Sequence, residues 1–93
     1  MSKRVVVTIY SKPGCHLCEE AKAVMLAAGC RELFTMTETN IETDPQLLAL
    51  YRYDIPVILI EGEEVFRHRL RAEDFRTAIQ KALAIKPTRT ESR

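Results

Sequence analysis

The run Val5-Val6-Val7-Thr8-Ile9-Tyr10 limits the folds open to this chain more than any other segment. Apolar and β-branched residues follow one another there without polar alternation, which reads as a central strand covered on both faces. The run stops at Ser11-Lys12-Pro13-Gly14, a turn signal, and a helical pattern begins at once. Leu17, Ala21, Val24, Met25 and Ala28 form its apolar stripe, Glu19, Glu20 and Lys22 lie off it, and Gly29 is a natural stop.

The rest of the chain continues the alternation. Leu33 to about Asn40 is rich in threonine and alternates weakly, as an edge strand does. Asp44-Pro45 reads as an N-cap with proline at the first helical position; Leu47, Leu48 and Tyr51 face inward and Pro56 ends the helix. Val57 to Ile60 and Val65 to His68 flank Glu61-Gly62-Glu63-Glu64, a hairpin with glycine in its turn. A last helix starts at about Ala72 with Phe75, Ile79, Ala82 and Leu83 inside, and Lys86 to Arg93, polar and containing Pro87, reads as a frayed tail. The order β-α-β-α-β-β-α predicts an α/β fold: a right-handed crossover joins two parallel strands, and a hairpin completes a four-stranded mixed sheet with helices on both faces. A chain of 93 residues supports one domain over 1–93, with an ordered core at about 4–85 and a flexible tail at 86–93.

Charge excludes several functions. With 14 basic and 13 acidic residues the net charge is +1, so no overall field draws the chain to nucleic acid or to a membrane surface. No stretch approaches the ~20 apolar residues of a membrane span. The apolar run after Lys3-Arg4 is shorter than a secretory hydrophobic region, and no small-residue cleavage site follows it. The expectation is a cytoplasmic monomer with neither nucleic-acid nor membrane partner. In a reducing compartment, paired cysteines are better read as catalytic than as structural.

Those cysteines are Cys15 and Cys18, in Cys15-His16-Leu17-Cys18, placed where the turn gives way to the helix. Thiols at this spacing face one side of the first helical turn, close enough to form a small disulfide ring. Cys15 is the expected nucleophile, because the unpaired N–H groups and positive end of a helix favour thiolate. A zinc site would need four ligands, and only Cys15, Cys18, Cys30, His16 and His68 are on offer without a second paired spacing, so no metal is expected. Cys30, beyond the far end of the helix that Cys15 opens, is out of reach of a disulfide with Cys15 and reads as a packing residue. His16, next to the nucleophile, is a candidate modulator through its proton. His68, Arg69 and Arg71 read as solvated surface rather than an anion grip, and Tyr51 and Tyr53 as core and rim packing.

Taken with Asp54-Ile55-Pro56-Val57, the segment Ser11 to Cys18 resembles the thioredoxin fold, and within that superfamily the glutaredoxin-like branch, over about residues 4–85. The resemblance implies a thiol–disulfide oxidoreductase of cell redox homeostasis and electron transport. Cys15 would attack, Cys18 would resolve, and Pro56 would be a cis-proline facing them. Ile55 would offer its backbone N–H and C=O to an extended thiol peptide, which adds as a strand. Lys12 resembles the lysine that favours thiolate and attracts a glutathione carboxylate. The implied partners are protein disulfides or low-molecular-weight thiols, with no bound cofactor. Three positions depart from the glutaredoxin pattern: Asp54 stands where threonine is usual, Arg67 to Asp74 lacks paired glycines, and His16 replaces a common proline. They make glutathione a doubtful co-substrate. A different class of function stays open at this point: a non-catalytic binding module or redox switch, with a metal held by the same cysteines.

Overall fold

The computed structural model describes the backbone of residues 4–91 and the side chains of residues 4–84. Its elements are β1 (Val5–Ser11), α1 (His16–Leu26), β2 (Phe34–Asn40), α2 (Pro45–Tyr51), β3 (Val57–Ile60), β4 (Glu63–Arg67) and α3 (Ala72–Glu91). The sheet order is β2-β1-β3-β4. β1 and β2 are parallel, in the register Val5 opposite Phe34, while β3 runs antiparallel to both β1 and β4. This is the mixed four-stranded sheet expected, with the threonine-rich strand at an edge.

Alternation along β1 sorts the helices. Val5, Val7 and Ile9 point to one face and pack with Ala21 and Met25 of α1 and Phe75 and Ile79 of α3. Phe34 and Phe75 meet edge to face within this layer, with ring centroids 5.2 Å apart. Tyr10 points to the other face and meets Tyr51 of α2, centroids 5.2 Å apart. β1 is therefore covered unequally, not buried throughout as its composition suggests: Val6 is 44% exposed. The reason is the length of α2, ~10 Å for one helix of this size, which covers only the carboxyl end of the strand.

Other boundaries shift for local reasons. α2 ends at Tyr51, well before Pro56, because the Asp54 N–H turns back to the Tyr51 carbonyl at 2.8 Å. Its start is as expected, with the Asp44 carboxylate accepting from the Gln46 and Leu47 N–H groups. The hairpin turn is only Glu61-Gly62, with φ values of 53° and 84°; the left-handed pair matches strand twist, and Glu63 and Glu64 begin β4. α3 continues to Glu91, past the expected boundary at Lys86. A proline at 87 removes one N–H donor and crowds the carbonyl four residues earlier, yet the helix continues on both sides of it. Residues 92 and 93 of the expected tail lie outside the described residues.

One polar network ties β1, α1 and β2 where the first strand ends. Ser11, 2% exposed, donates its hydroxyl to Glu38 Oε2 at 2.6 Å, and Lys22 Nζ donates to Glu38 Oε1 at 3.0 Å. The Ser11 hydroxyl first, and the Lys22 ammonium second, hold the Glu38 carboxyl below its ordinary value. A carboxyl lowered in the folded state stabilises the fold above its unfolded value and loses that contribution as pH falls through the folded value. The urea midpoint of the parent should therefore drop more steeply in acid than that of Glu38→Gln. The effect is modest, since Glu38 is 44% exposed. Parallel curves below about pH 4.5 would refute it.

Candidate active site

Cys15 is the N-cap of α1. Its backbone is extended, its N–H closes the turn onto the Lys12 carbonyl at 3.2 Å, and its sulfur accepts the Cys18 N–H at 3.2 Å. The helix starts where a side chain can satisfy an otherwise unpaired amide, and here that side chain is a thiol. Gly14, at φ +81°, supplies the left-handed step that sets up this entry. Cys15 and Cys18 are joined as a disulfide with their Cα atoms 5.3 Å apart. The two sulfurs differ in access: Cys15 is half-buried, whereas Cys18 is 1% exposed and packed against Ile41 and Ile55.

Ile55 belongs to the same cluster, and Pro56 follows it in the chain. The Ile55–Pro56 bond is cis, and Ile55 packs with Cys18 while Cys15, Tyr10 and Leu47 line the cluster. Three expected site residues, Cys15, Cys18 and Ile55, thus come together near the carboxyl end of β1, with Pro56 next to Ile55 at the start of β3. Lys12 is exposed in the loop before Cys15. His16 reaches along α1 to Glu20, with Nε2 3.2 Å from its carboxylate and its side chain 88% exposed. Cys30 stands apart in the main core, and burial pushes its thiol up, so it is poorly suited to react.

Asp54 is where the structure changes the sequence-based picture. Standing where threonine is usual, its carboxylate is ion-paired: Arg67 Nη1 lies 3.0 Å from Oδ2 and His68 Nε2 3.7 Å from Oδ1. β4 runs beside β3, and that pairing delivers Arg67 opposite Val57, within reach of the loop before it. Tyr53 likewise is not rim packing but stands 84% exposed, with the Arg52 guanidinium over its ring at 5.8 Å. Arg69 and Arg71 are solvated, 77% and 79% exposed. Together with Leu17, Glu20 and Phe66 they border a groove of about 370 Å³ beside α1. Among the described residues no three His, Cys, Asp or Glu side chains converge as a metal ion would require. The contacts of Arg67 and His68 with the loop left no local mark in the sequence, because they depend on β3–β4 pairing.

The strand order, the crossover, the cysteine pair at the head of α1 and the cis-proline before β3 define a thioredoxin-fold protein. The model of the Glutaredoxin-like domain (DUF836) family matches residues 6–80, and the chain belongs to that family. It is 30% identical to the glutaredoxin-like protein YDR286C homolog of Dictyostelium discoideum, over 73% of this chain and 68% of that protein. Protein Ne2328 from Nitrosomonas europaea, solved by NMR, superposes with a TM-score of 0.67 at 27% identity, covering 78% of this chain and 88% of that one. Fasciola hepatica thioredoxin shares the fold alone, at 20% identity and a TM-score of 0.50 over 86% of this chain and 82% of its own.

Proposed function

We propose that this chain is a thiol–disulfide oxidoreductase that reduces protein or small-molecule disulfides through Cys15 and Cys18. The observation that carries the proposal is the unequal access of the two sulfurs: Cys15 caps the helix and is half open, while Cys18 lies beneath it at 1% exposure. In the reduced protein the Cys15 thiolate attacks one sulfur of the substrate disulfide, and the other sulfur leaves as a thiolate. Cys18, deprotonated, then attacks Cys15 in the mixed disulfide and expels the second substrate thiolate. The substrate gains two electrons and the protein ends as the Cys15–Cys18 disulfide, which an external thiol reduces. Lys12 favours the Cys15 thiolate, and Ile55 pairs with the substrate backbone beside Pro56. His16 stays a lesser modulator. A cytoplasmic location fits this direction of flow, since that compartment keeps the dithiol reduced; among the described residues no helix is long and apolar enough to cross a membrane. Iodoacetamide labelling across pH tests the assignment. The reduced parent and Cys18→Ser should both label fast at low pH, and Cys15→Ser should lose that phase. Retention of the fast phase in Cys15→Ser would reverse the roles.

Poor use of glutathione belongs to the same proposal, on altered grounds. Asp54 pairs with Arg67 at 3.0 Å, a guanidinium it shares with Glu64, so its repulsion of a carboxylate is reduced rather than removed. The turn after β4 instead bears histidine and arginine side chains where close approach of a peptide backbone favours glycine. Glutathione-dependent reduction of a small mixed disulfide should run far below the dithiothreitol-dependent rate. Asp54→Thr should change it only a few-fold, the scale of one partly exposed ion pair. Equal rates with the two reductants in the parent would defeat this expectation.

A further inference from the structure

His68 occupies a backbone conformation that costs a β-carbon residue something. Its φ is +66°, in the left-handed region, where glycine sits without steric penalty and only a few per cent of other residues are found. The conformation swings the chain out of β4 while keeping one more rung of the ladder: the His68 N–H donates to the Pro56 carbonyl at 2.7 Å. A glycine would serve that backbone equally well. What it could not supply is the ring, and the ring has a use. His68 Nε2 lies 3.4 Å from the Tyr53 carbonyl and 3.7 Å from Asp54 Oδ1. Both neighbours are acceptors, so the tautomer with hydrogen on Nε2 is the one that satisfies them.

We propose that His68 is a positioning residue that latches residues 53–56 against the cysteine pair. The latch has three points on a short stretch of chain: the Tyr53 carbonyl and Asp54 carboxylate on the ring, and the Pro56 carbonyl on the backbone. Arg67 adds a fourth from the same strand end, pairing with Asp54 at 3.0 Å while its guanidinium lies 5.7 Å from the Tyr51 ring centre. Ile55 stands between the latched residues, and it is the residue packed on Cys18. Fixing its neighbours fixes the strand against which a substrate segment pairs, so the ordering is done before substrate arrives. The role rests on the oxidoreductase reading above, since it assigns His68 to substrate placement rather than to the chemistry of sulfur.

Two variants separate ring from backbone. His68→Gly keeps the left-handed turn and the N–H to Pro56 without the ring; His68→Gln restores an N–H donor of similar reach. Amide hydrogen exchange at residues 53–55, with α1 as internal reference, reads the latch without any need for activity. His68→Gly should exchange about tenfold faster there and His68→Gln close to the parent, the ratio expected for one net hydrogen bond. With a peptide disulfide and dithiothreitol, His68→Gly should raise KM about tenfold with kcat little changed, and Cys15 alkylation should stay at the parent rate. Unchanged exchange in His68→Gly, or a glutamine variant no better than glycine, would overturn the latch. A parent that reduces no disulfide would instead overturn the oxidoreductase reading, while the exchange data still decide the latch. Faster exchange with an unchanged KM would overturn the role in substrate placement.

Discussion

Cys18→Ser should accumulate a covalent adduct with a disulfide substrate through Cys15, while its turnover falls to the rate of the external thiol alone. Two structural facts set this expectation. Cys15 has the access and the helix N-terminus needed to attack, and its sulfur already accepts the Cys18 amide at 3.2 Å, a bond that a thiolate would strengthen. Cys18 lies under Ile41 and Ile55, so its thiol reaches Cys15, with Cα atoms 5.3 Å apart, and not an outside disulfide. Removing it leaves the first exchange intact and deletes the step that releases the partner. Cys15→Ser should give neither adduct nor turnover, because a serine hydroxyl is not ionised at neutral pH. Non-reducing electrophoresis of each variant after incubation with a peptide disulfide, followed by peptide mapping of the adduct, makes the comparison. An adduct on Cys18 in the Cys15→Ser protein would exchange the two roles, and no adduct with either variant would favour a binding module over an exchange enzyme.

The parts of this site that local chemistry determines were readable in the chain. Pro13-Gly14 before a cysteine forces a turn, and the helix that follows places Cys15 at its cap and Cys18 one turn in. Leu17, Ala21 and Met25 announce the face of α1, and Asp44-Pro45 announces the start of α2. The cis bond at Pro56 was readable only through likeness to other proteins, since proline alone favours trans. The pairing of Asp54 with Arg67 and His68 was not readable, because residues distant in sequence meet only through the antiparallel register of β3 and β4. Nor was the end of the hairpin turn. Four consecutive turn-compatible residues, Glu61 to Glu64, do not say which two take positive φ, and it is the tight turn at Glu61-Gly62 together with a one-residue register shift between Ile58 and Leu59 that brings Arg67 opposite Val57. The exposed face of β1 escaped for a similar reason: composition tells that a strand is apolar, whereas the length of the helix laid upon it decides how much is covered.

Phe75→Ala should destabilise the fold by about 3 to 5 kcal/mol, the usual loss for deleting a fully buried aromatic ring. Phe75 is 0% exposed and is the first large apolar residue of α3, where it meets Phe34 at 5.2 Å with the rings at 87°. Phe34 in turn sits beside Val5 in the parallel register of β1 and β2, so one ring contact joins the last helix to the first and second strands. The cavity would open between elements distant in sequence, where the sheet on one side and two helices on the other limit collapse. For a domain near this size the loss corresponds to a fall in midpoint temperature of roughly 12 to 40 °C. Leu50→Ala, at a side chain 66% exposed on α2, is the matched control and should stay within about 0.5 kcal/mol of the parent. Urea unfolding of the three proteins under one buffer gives the comparison. A loss for Phe75→Ala below about 1 kcal/mol, no more than an ordinary substitution, would mean that α3 is not anchored through this ring.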